Sequence, residues 1–204
     1  MSRTTTEAIN SYLTDMLALE EHIEVAIAAQ VKDFNNDQPQ VLVMALDAIH
    51  VTVQHHVDSL KQIIEERKAG PANSVAEAVK RAASVLAGAG AAAVDLVRNE
   101  KLPKDLRDDY TAFSLATVSY VMLLTTAMSL NDQPVAELAE RHLRQYTKVV
   151  MKLNNILPSA VIAELREEGL PAREEQLPAI ARTLKGVWSD PNNEVPEVDE
   201  VSVA

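Results

Sequence analysis

The sequence predicts an all-α protein built around an antiparallel four-helix bundle, with a crossover helix and a short C-terminal helix. Three observations lead there. Apolar residues make up 47% of the 204 residues but aromatic residues only 3%, so the interior is built from Leu, Val, Ile, Ala and Met, a composition that suits helix-on-helix packing. Apolar positions recur at helical spacing through four long segments. Matching Asn/Asp/Pro turns, Asn35-Asn36-Asp37-Gln38-Pro39 and Asn131-Asp132-Gln133-Pro134, divide those segments into two hairpins.

The first helix follows Thr4-Thr5-Thr6, an N-cap signal with Glu7 in the first turn, and carries Ile9, Leu13, Met16, Ile23, Ile27, Val31 and Phe34 on one stripe. After the Asn/Pro turn a second helix runs from about Pro39 to Lys68 along Leu42, Leu46, Ile49, Val53, Leu60 and Ile63, and Gly70-Pro71 ends it. Ser74 and Glu77 form a capping box that opens a crossover helix, Val75 to about Asn99, whose Gly88 and Gly90 permit close contact. Its Ala82 to Val97 stretch is mildly apolar, but Ser84 and Asp95 interrupt it.

Pro103 starts the third bundle helix, with Leu106, Tyr110, Phe113, Thr117, Tyr120, Leu124 and Met128 as its expected seam. The last bundle helix carries Val135, Leu138, Val149, Leu153 and Ile156. Pro158 is expected to break or kink it before Val161 to Glu168 resumes and Gly169 closes it. A short amphipathic helix with Leu177, Ile180, Leu184 and Trp188 follows Pro171. From Asp190 the composition turns to Pro, Asn, Glu and Asp, which reads as a disordered acidic tail. The expected organisation is a bundle over residues 1–170, the amphipathic helix packed on it over 171–189, and the tail over 190–204. Two helical hairpins joined by a crossover are the layout of ferritin-like bundles, so the bundle is expected to be ferritin-like.

Composition also excludes function classes. Thirty acidic against 19 basic residues give a net charge of −11, which repels phosphate backbones and anionic lipid, so no nucleic-acid or membrane partner is expected. The absence of cysteine removes disulfides, thiolate metal sites and cysteine nucleophiles. No secretory h-region opens the chain, and no uninterrupted apolar run reaches a membrane-spanning length; a cytoplasmic protein is expected. There is no nucleophile elbow and no phosphate-binding glycine loop.

The chemistry lies in polar residues that interrupt the apolar seams. Glu20 falls on the stripe of the first helix between Met16 and Ile23, His56 on that of the second, and His142 and Tyr146 on that of the last. Pairing residues about the turns at ~1.5 Å per residue sets Glu20 level with Thr52, one turn from His55 and His56. It also sets Tyr146 near Tyr120. Buried polar groups need partners, so Glu20, His56, His142, Tyr120 and Tyr146 are expected to form one internal network, with His55 as a neighbour.

Glu20, His56 and His142 are the candidate metal ligands, a carboxylate and two imidazoles that suit iron, manganese or zinc. A hydrogen-bonded network without an ion is the preferred expectation. Ferritin-like dimetal sites use Glu-x-x-His pairs, whereas Thr52-Val-Gln-His55 and Ala139-Glu-Arg-His142 lack the Glu.

Several stretches resemble the YciE/YciF-type ferritin-like proteins: Asp15-Met-Leu-Ala-Leu-Glu20, His56-Val-Asp-Ser-Leu60, Leu106-Arg-Asp-Asp-Tyr110 through Tyr120, and His142-Leu-Arg-Gln-Tyr146 through Ile156-Leu-Pro158 to Gly169. The resemblance spans about residues 7 to 169. It implies a dimeric ferritin-like fold linked to bacterial stress responses, with a dimetal centre in some members. Glu20 matches the family's first-helix carboxylate and His56 lies in its second-helix segment. Phe113, Ala116 and Tyr146 stand where the family carries glutamates. The expected function is therefore a stress-related structural or interaction role as a homodimer, in preference to an enzymatic one. The alternative is a metal-binding oxidoreductase or storage protein using an atypical Glu/His site. The tail Val195 to Val203 is a further candidate contact for a protein partner, as an added strand.

Overall fold

A computed structural model describes residues 3–33, 40–68 and 102–189. The described residues form helices and turns, with no strand among them: α1 (Thr5–Asp33), α2 (Gln40–Lys68), α3 (Leu102–Ser129), α4 (Gln133–Glu167), a 3-10 turn at Glu174–Gln176, and α5 (Leu177–Trp188). The expected crossover helix with its Ser74/Glu77 box and Gly88/Gly90, the first Asn/Pro turn with Phe34, and the acidic tail lie outside the described residues. The chain divides into two compact units, Met1–Ile156 and Leu157–Ala204.

In the first unit, α1 starts on a complete capping box. The Glu7 backbone N–H donates to Thr4 Oγ1 at 3.2 Å, and the Thr4 N–H donates to Glu7 Oε2 at 2.7 Å, so two end donors are satisfied reciprocally. The turn from α3 to α4 is a Schellman closure. Asn131 adopts φ 57°, the left-handed conformation that Asn tolerates. There the Asp132 N–H reaches the Ala127 carbonyl at 2.8 Å and the Asn131 N–H the Met128 carbonyl at 3.2 Å. Asp132 Oδ1 then caps α4 by accepting from the Val135 N–H at 3.3 Å.

The core forms where the seams meet. Ile9, Leu13, Met16, Ile23 and Ile27 of α1 are buried, as are Leu42, Leu46, Ile49, Val53, Leu60 and Ile63 of α2, and α1 packs against both α2 and α3. On α4, Val135, Leu138, Val149 and Leu153 are buried. The seam of α3 differs from the expected one. Its buried residues are Pro103, Leu106, Asp109, Phe113, Ala116, Tyr120, Leu123 and Ala127, while Tyr110, Thr117 and Leu124 are only half-buried and Met128 is exposed. From Tyr110 to Asn131 this helix carries no charge at all, so apolar spacing alone does not single out its inward face. By length and composition α3 is also apolar enough to cross a membrane. Its hydroxyl residues hide this from a search for uninterrupted apolar runs.

Pro158 does not break α4, which is helical from Gln133 to Glu167; a proline deletes one i→i−4 bond, and the bonds on either side carry the helix through. In the second unit, Gly169 at φ +78° closes α4, with the Leu170 N–H donating to the Leu165 carbonyl at 2.9 Å. Arg166 pairs with Glu174 at 2.5 Å. The apolar face of α5 is real, but none of its residues is buried.

One side chain gathers three elements at one end of the first unit. Arg67, in the last turn of α2, donates from Nε to Asn10 Oδ1 and from Nη1 to Asp132 Oδ2, each at 2.7 Å. Both members of the Arg67–Asp132 pair are mostly buried, where charge-assisted hydrogen bonds are strongest. Arg67→Ala is expected to lower unfolding stability by about 2 kcal/mol, read from the shift of the urea midpoint at unchanged slope.

Candidate functional site

Glu20 projects from the middle of α1 into the core and is fully buried. Three of the other bundle helices meet it. Tyr120 of α3 donates its hydroxyl to Glu20 Oε1 at 2.5 Å. Tyr146 of α4 donates its hydroxyl to Glu20 Oε2. His56 of α2 places Nδ1 3.1 Å from Glu20 Oε1. Both phenol groups are pushed up, chiefly by burial and then by the Glu20 charge, so both keep their protons and act as donors.

That direction fixes the next link. Because the Tyr120 hydroxyl donates to Glu20, it must accept from His142 Nδ1, 2.8 Å away. Burial lowers the His142 imidazole to about 2, helped by His56 and Arg141. His142 is therefore a neutral ring with its proton on Nδ1. The result is a directed relay, from His142 N–H to the Tyr120 hydroxyl to the Glu20 carboxylate.

His56 ends the network on the other side. Its Nε2 lies 2.7 Å from Gln145 Oε1, so its two nitrogens face two acceptor oxygens. Hydrogen-bond logic then asks for a proton on each nitrogen, which pairs a charged ring with the Glu20 carboxylate; a reversed Gln145 amide would instead serve a neutral ring. The His56 and His142 rings are stacked, with centroids 3.8 Å apart and planes 3° from parallel. Two charged rings would repel strongly at that distance, so the pair does not carry charge on both rings. Phe113 closes the floor edge-on to Tyr146, at 5.0 Å.

The expected residues Glu20, His56, His142, Tyr120 and Tyr146 thus lie together. His55 does not join them: it is exposed, because one residue along a helix turns a side chain by ~100°. Gln145 is the member that the sequence reading missed. It is an exposed residue of α4 beside Glu137, Glu140, Arg141 and Arg144, and its side chain folds inward over His56. A glutamine off the apolar seam gives no sequence signal of this.

A second buried carboxylate was also missed. Asp109 accepts from Gln30 Nε2 of α1 at 2.8 Å, away from Glu20. Its position between Leu106 and Phe113 is the signal that would have found it. Asp109 Oδ2 and Gln30 Oε1 have no hydrogen-bond partner among the described residues, and both are acceptors when the acid is ionised. Burial pushes Asp109 up to about 7, against the Gln30 hydrogen bond and with help from Asp105 and Asp108. Protonated, Oδ2 becomes a donor, and carboxyl and carboxamide can pair through two hydrogen bonds.

No protein-family model matches the sequence, and no curated protein matches it. Solved structures do. A protein of Xanthomonas campestris pv. campestris superposes with a TM-score of 0.63 at 22% identity, covering 82% of this chain and 100% of that one. Ferritin-like, diiron-carboxylate proteins of Bacillus anthracis match with a TM-score of 0.58 at 15% identity, over 77% of this chain and 99% of theirs. The fold is ferritin-like. The Dps protein of Vibrio cholerae O1, described as a member of the broad superfamily of ferritin-like diiron-carboxylate proteins, matches at 0.60 and 18% identity, over 77% of this chain and 93% of that one.

The donor set can be tested against a dimetal centre. Glu20, His56 and His142 each bring one ligand atom within 4.8 Å of the others, but the cluster holds a single carboxylate, and phenol protons engage both of its oxygens. Imidazole binds metals through a lone pair in the ring plane, and parallel stacked planes share no point. No ion can lie in the plane of both rings as they stand. The described cluster does not fit a dimetal site, and it fits a mononuclear one only after a ring turns.

Tyr146→Phe leaves a buried carboxylate oxygen without that donor and is expected to cost about 1 to 3 kcal/mol, measured by chemical denaturation. The buried titrations also act in opposite senses. His142, held neutral, adds stability as pH rises from about 2 to 6.5. Asp109, held protonated, removes stability as pH rises from 3.8 to about 7. Where these ranges overlap, from pH 3.8 to 6.5, the two offset each other. Asp109→Asn is therefore expected to unmask a stability that climbs with pH up to 6.5, and to be more stable relative to the parent at pH 8 than at pH 4. A parallel pH dependence in parent and variant would refute this.

Proposed function

We propose that this ferritin-like bundle serves a structural or interaction role, and that a proton-filled hydrogen-bond network stands in its core in place of a dimetal centre. The observation that carries this reading is the occupation of Glu20: both carboxylate oxygens accept from phenols that keep their protons. A dimetal site in such bundles draws Glu from two helices and Glu-x-x-His from two more. Here Tyr146 and Tyr120 supply donors to the carboxylate, and donors are the opposite of ligands. The link to stress responses rests on the YciE/YciF resemblance alone.

A second reading, a metal-binding oxidoreductase or metal-storage protein, draws on the closeness of the Glu20, His56 and His142 ligand atoms. It requires one imidazole to leave the stack and a proton to be lost from the network, so any affinity would rise with pH.

Metal analysis separates the two. Protein purified from its native host, and protein desalted after exposure to Fe(II), Mn(II) or Zn(II), is expected to hold well under one ion per chain. Its melting temperature is expected to be unchanged by the metals. Stoichiometric metal that disappears in Glu20→Ala would overturn the proposal.

A further inference from the structure

The helix α3 has two seams. The buried one runs through Leu106, Asp109, Phe113, Ala116, Tyr120 and Leu123, with spacing that alternates three and four. A second set, Thr111, Leu115, Val118, Met122, Thr125 and Ser129, repeats the same alternation two residues further on, about 200° round the helix. That is the opposite side, and all six of these residues are exposed. Leu115 is 57% exposed, Val118 59% and Met122 47%, with Val121 at 46% and Met128 at 65% alongside them. Exposed Val25 of α1 is flanked by Glu21 and Lys32, and exposed Met44 and Val51 of α2 bracket Asp47. Scattered apolar residues of that kind need no partner. An uncharged stripe along most of a helix does.

We propose that the outward face of α3 is a self-association surface, on which a second copy of this chain docks its own α3 antiparallel about a two-fold axis close to Met122. Charge selects the place. Copies of a chain with a net charge of −11 repel each other, and the stretch from Tyr110 to Asn131 contributes nothing to that repulsion. Periodicity selects a helix as the occupant, because apolar and small residues alternating three and four apart are the seam along which two helices interlock.

The side chains also complement one another under that symmetry. A two-fold at Met122 sets Leu115 level with Ser129 and Val118 within one residue of Thr125, ~1.5 Å along the axis, so the larger apolar groups meet smaller hydroxyl ones while Met122 meets its own copy. Pairing of this isologous kind is the commonest closed assembly. The antiparallel sense opposes the two helix dipoles and keeps the charged first turns, with Asp105, Arg107 and Asp108, at opposite ends. A lipid surface is the weaker occupant, since the other side of the same helix holds Asp109 and Tyr120 inside the bundle.

The inference does not depend on whether the core binds metal. Sedimentation velocity of the full chain at micromolar concentration is expected to give the dimer mass. Val118→Glu should halve it with an unchanged helical circular dichroism spectrum, and Val25→Glu, on another exposed surface, should leave it intact. The chain has no cysteine, so introduced ones report geometry directly. Under mild oxidation Met122→Cys should cross-link to its own copy. Leu115→Cys should cross-link only when mixed with Ser129→Cys. A monomer overturns the proposal, whether the face is then covered by residues 69–101 or by phosphatidylcholine vesicles in a flotation assay. So does a dimer indifferent to Val118→Glu, or a Leu115→Cys chain that links to itself.

Discussion

A carboxylate at zero solvent exposure in the centre of a helical bundle is the constraint around which this protein is organised. An unpaired buried charge costs several kcal/mol, so every helix that passes Glu20 has to present something to it. α2 presents His56, α3 presents Tyr120, and α4 presents Tyr146 directly, with His142 and Gln145 behind the neighbouring groups. An apolar core tolerates a helix sliding by a turn if volumes are kept. This layer does not, because a slip would strand the carboxylate. The network therefore fixes the mutual height of four helices, the register role for which buried polar groups are best attested.

The same device recurs along α1. Asn10, Glu20 and Gln30 lie ten residues apart, about 15 Å per step, and each turns toward a different set of partners. Asn10 meets Arg67 at the end of α2, and through it the α3–α4 turn at Asp132. Glu20 meets the central network, and Gln30 meets Asp109 near the start of α3. Three polar layers thus pin one helix to its neighbours at its beginning, middle and end. Their electrostatic characters differ: the first is a solvent-touched ion pair, the second a closed relay, and the third an acid whose proton completes its hydrogen bonding.

Four helices that converge on one interior point can deliver ligands to a metal or donors to a carboxylate, and the choice depends on a few side chains. Here the two phenols keep their protons and supply donors to an anion. The fold is indifferent to that choice, since Tyr120 and Tyr146 fill the core as well as any apolar residue.

The sequence alone placed the described helices, their order and most of their inward faces, because a charged residue on one side and a leucine on the other leave a helix one way to turn. It also identified Glu20, His56, His142, Tyr120 and Tyr146, since a polar group on an apolar stripe stands out. It misread α3, where no charge marks the outside, and so passed over both Asp109 and the second seam. What each polar group does depends on its neighbours in space. The stacking of two imidazoles, the inward fold of an exposed Gln145, and the direction of the Tyr120 hydroxyl depend on ångström-scale distances between helices remote in sequence. Periodicity places a residue on a face; partners on other helices decide whether it is a ligand, a donor or a neutral acid.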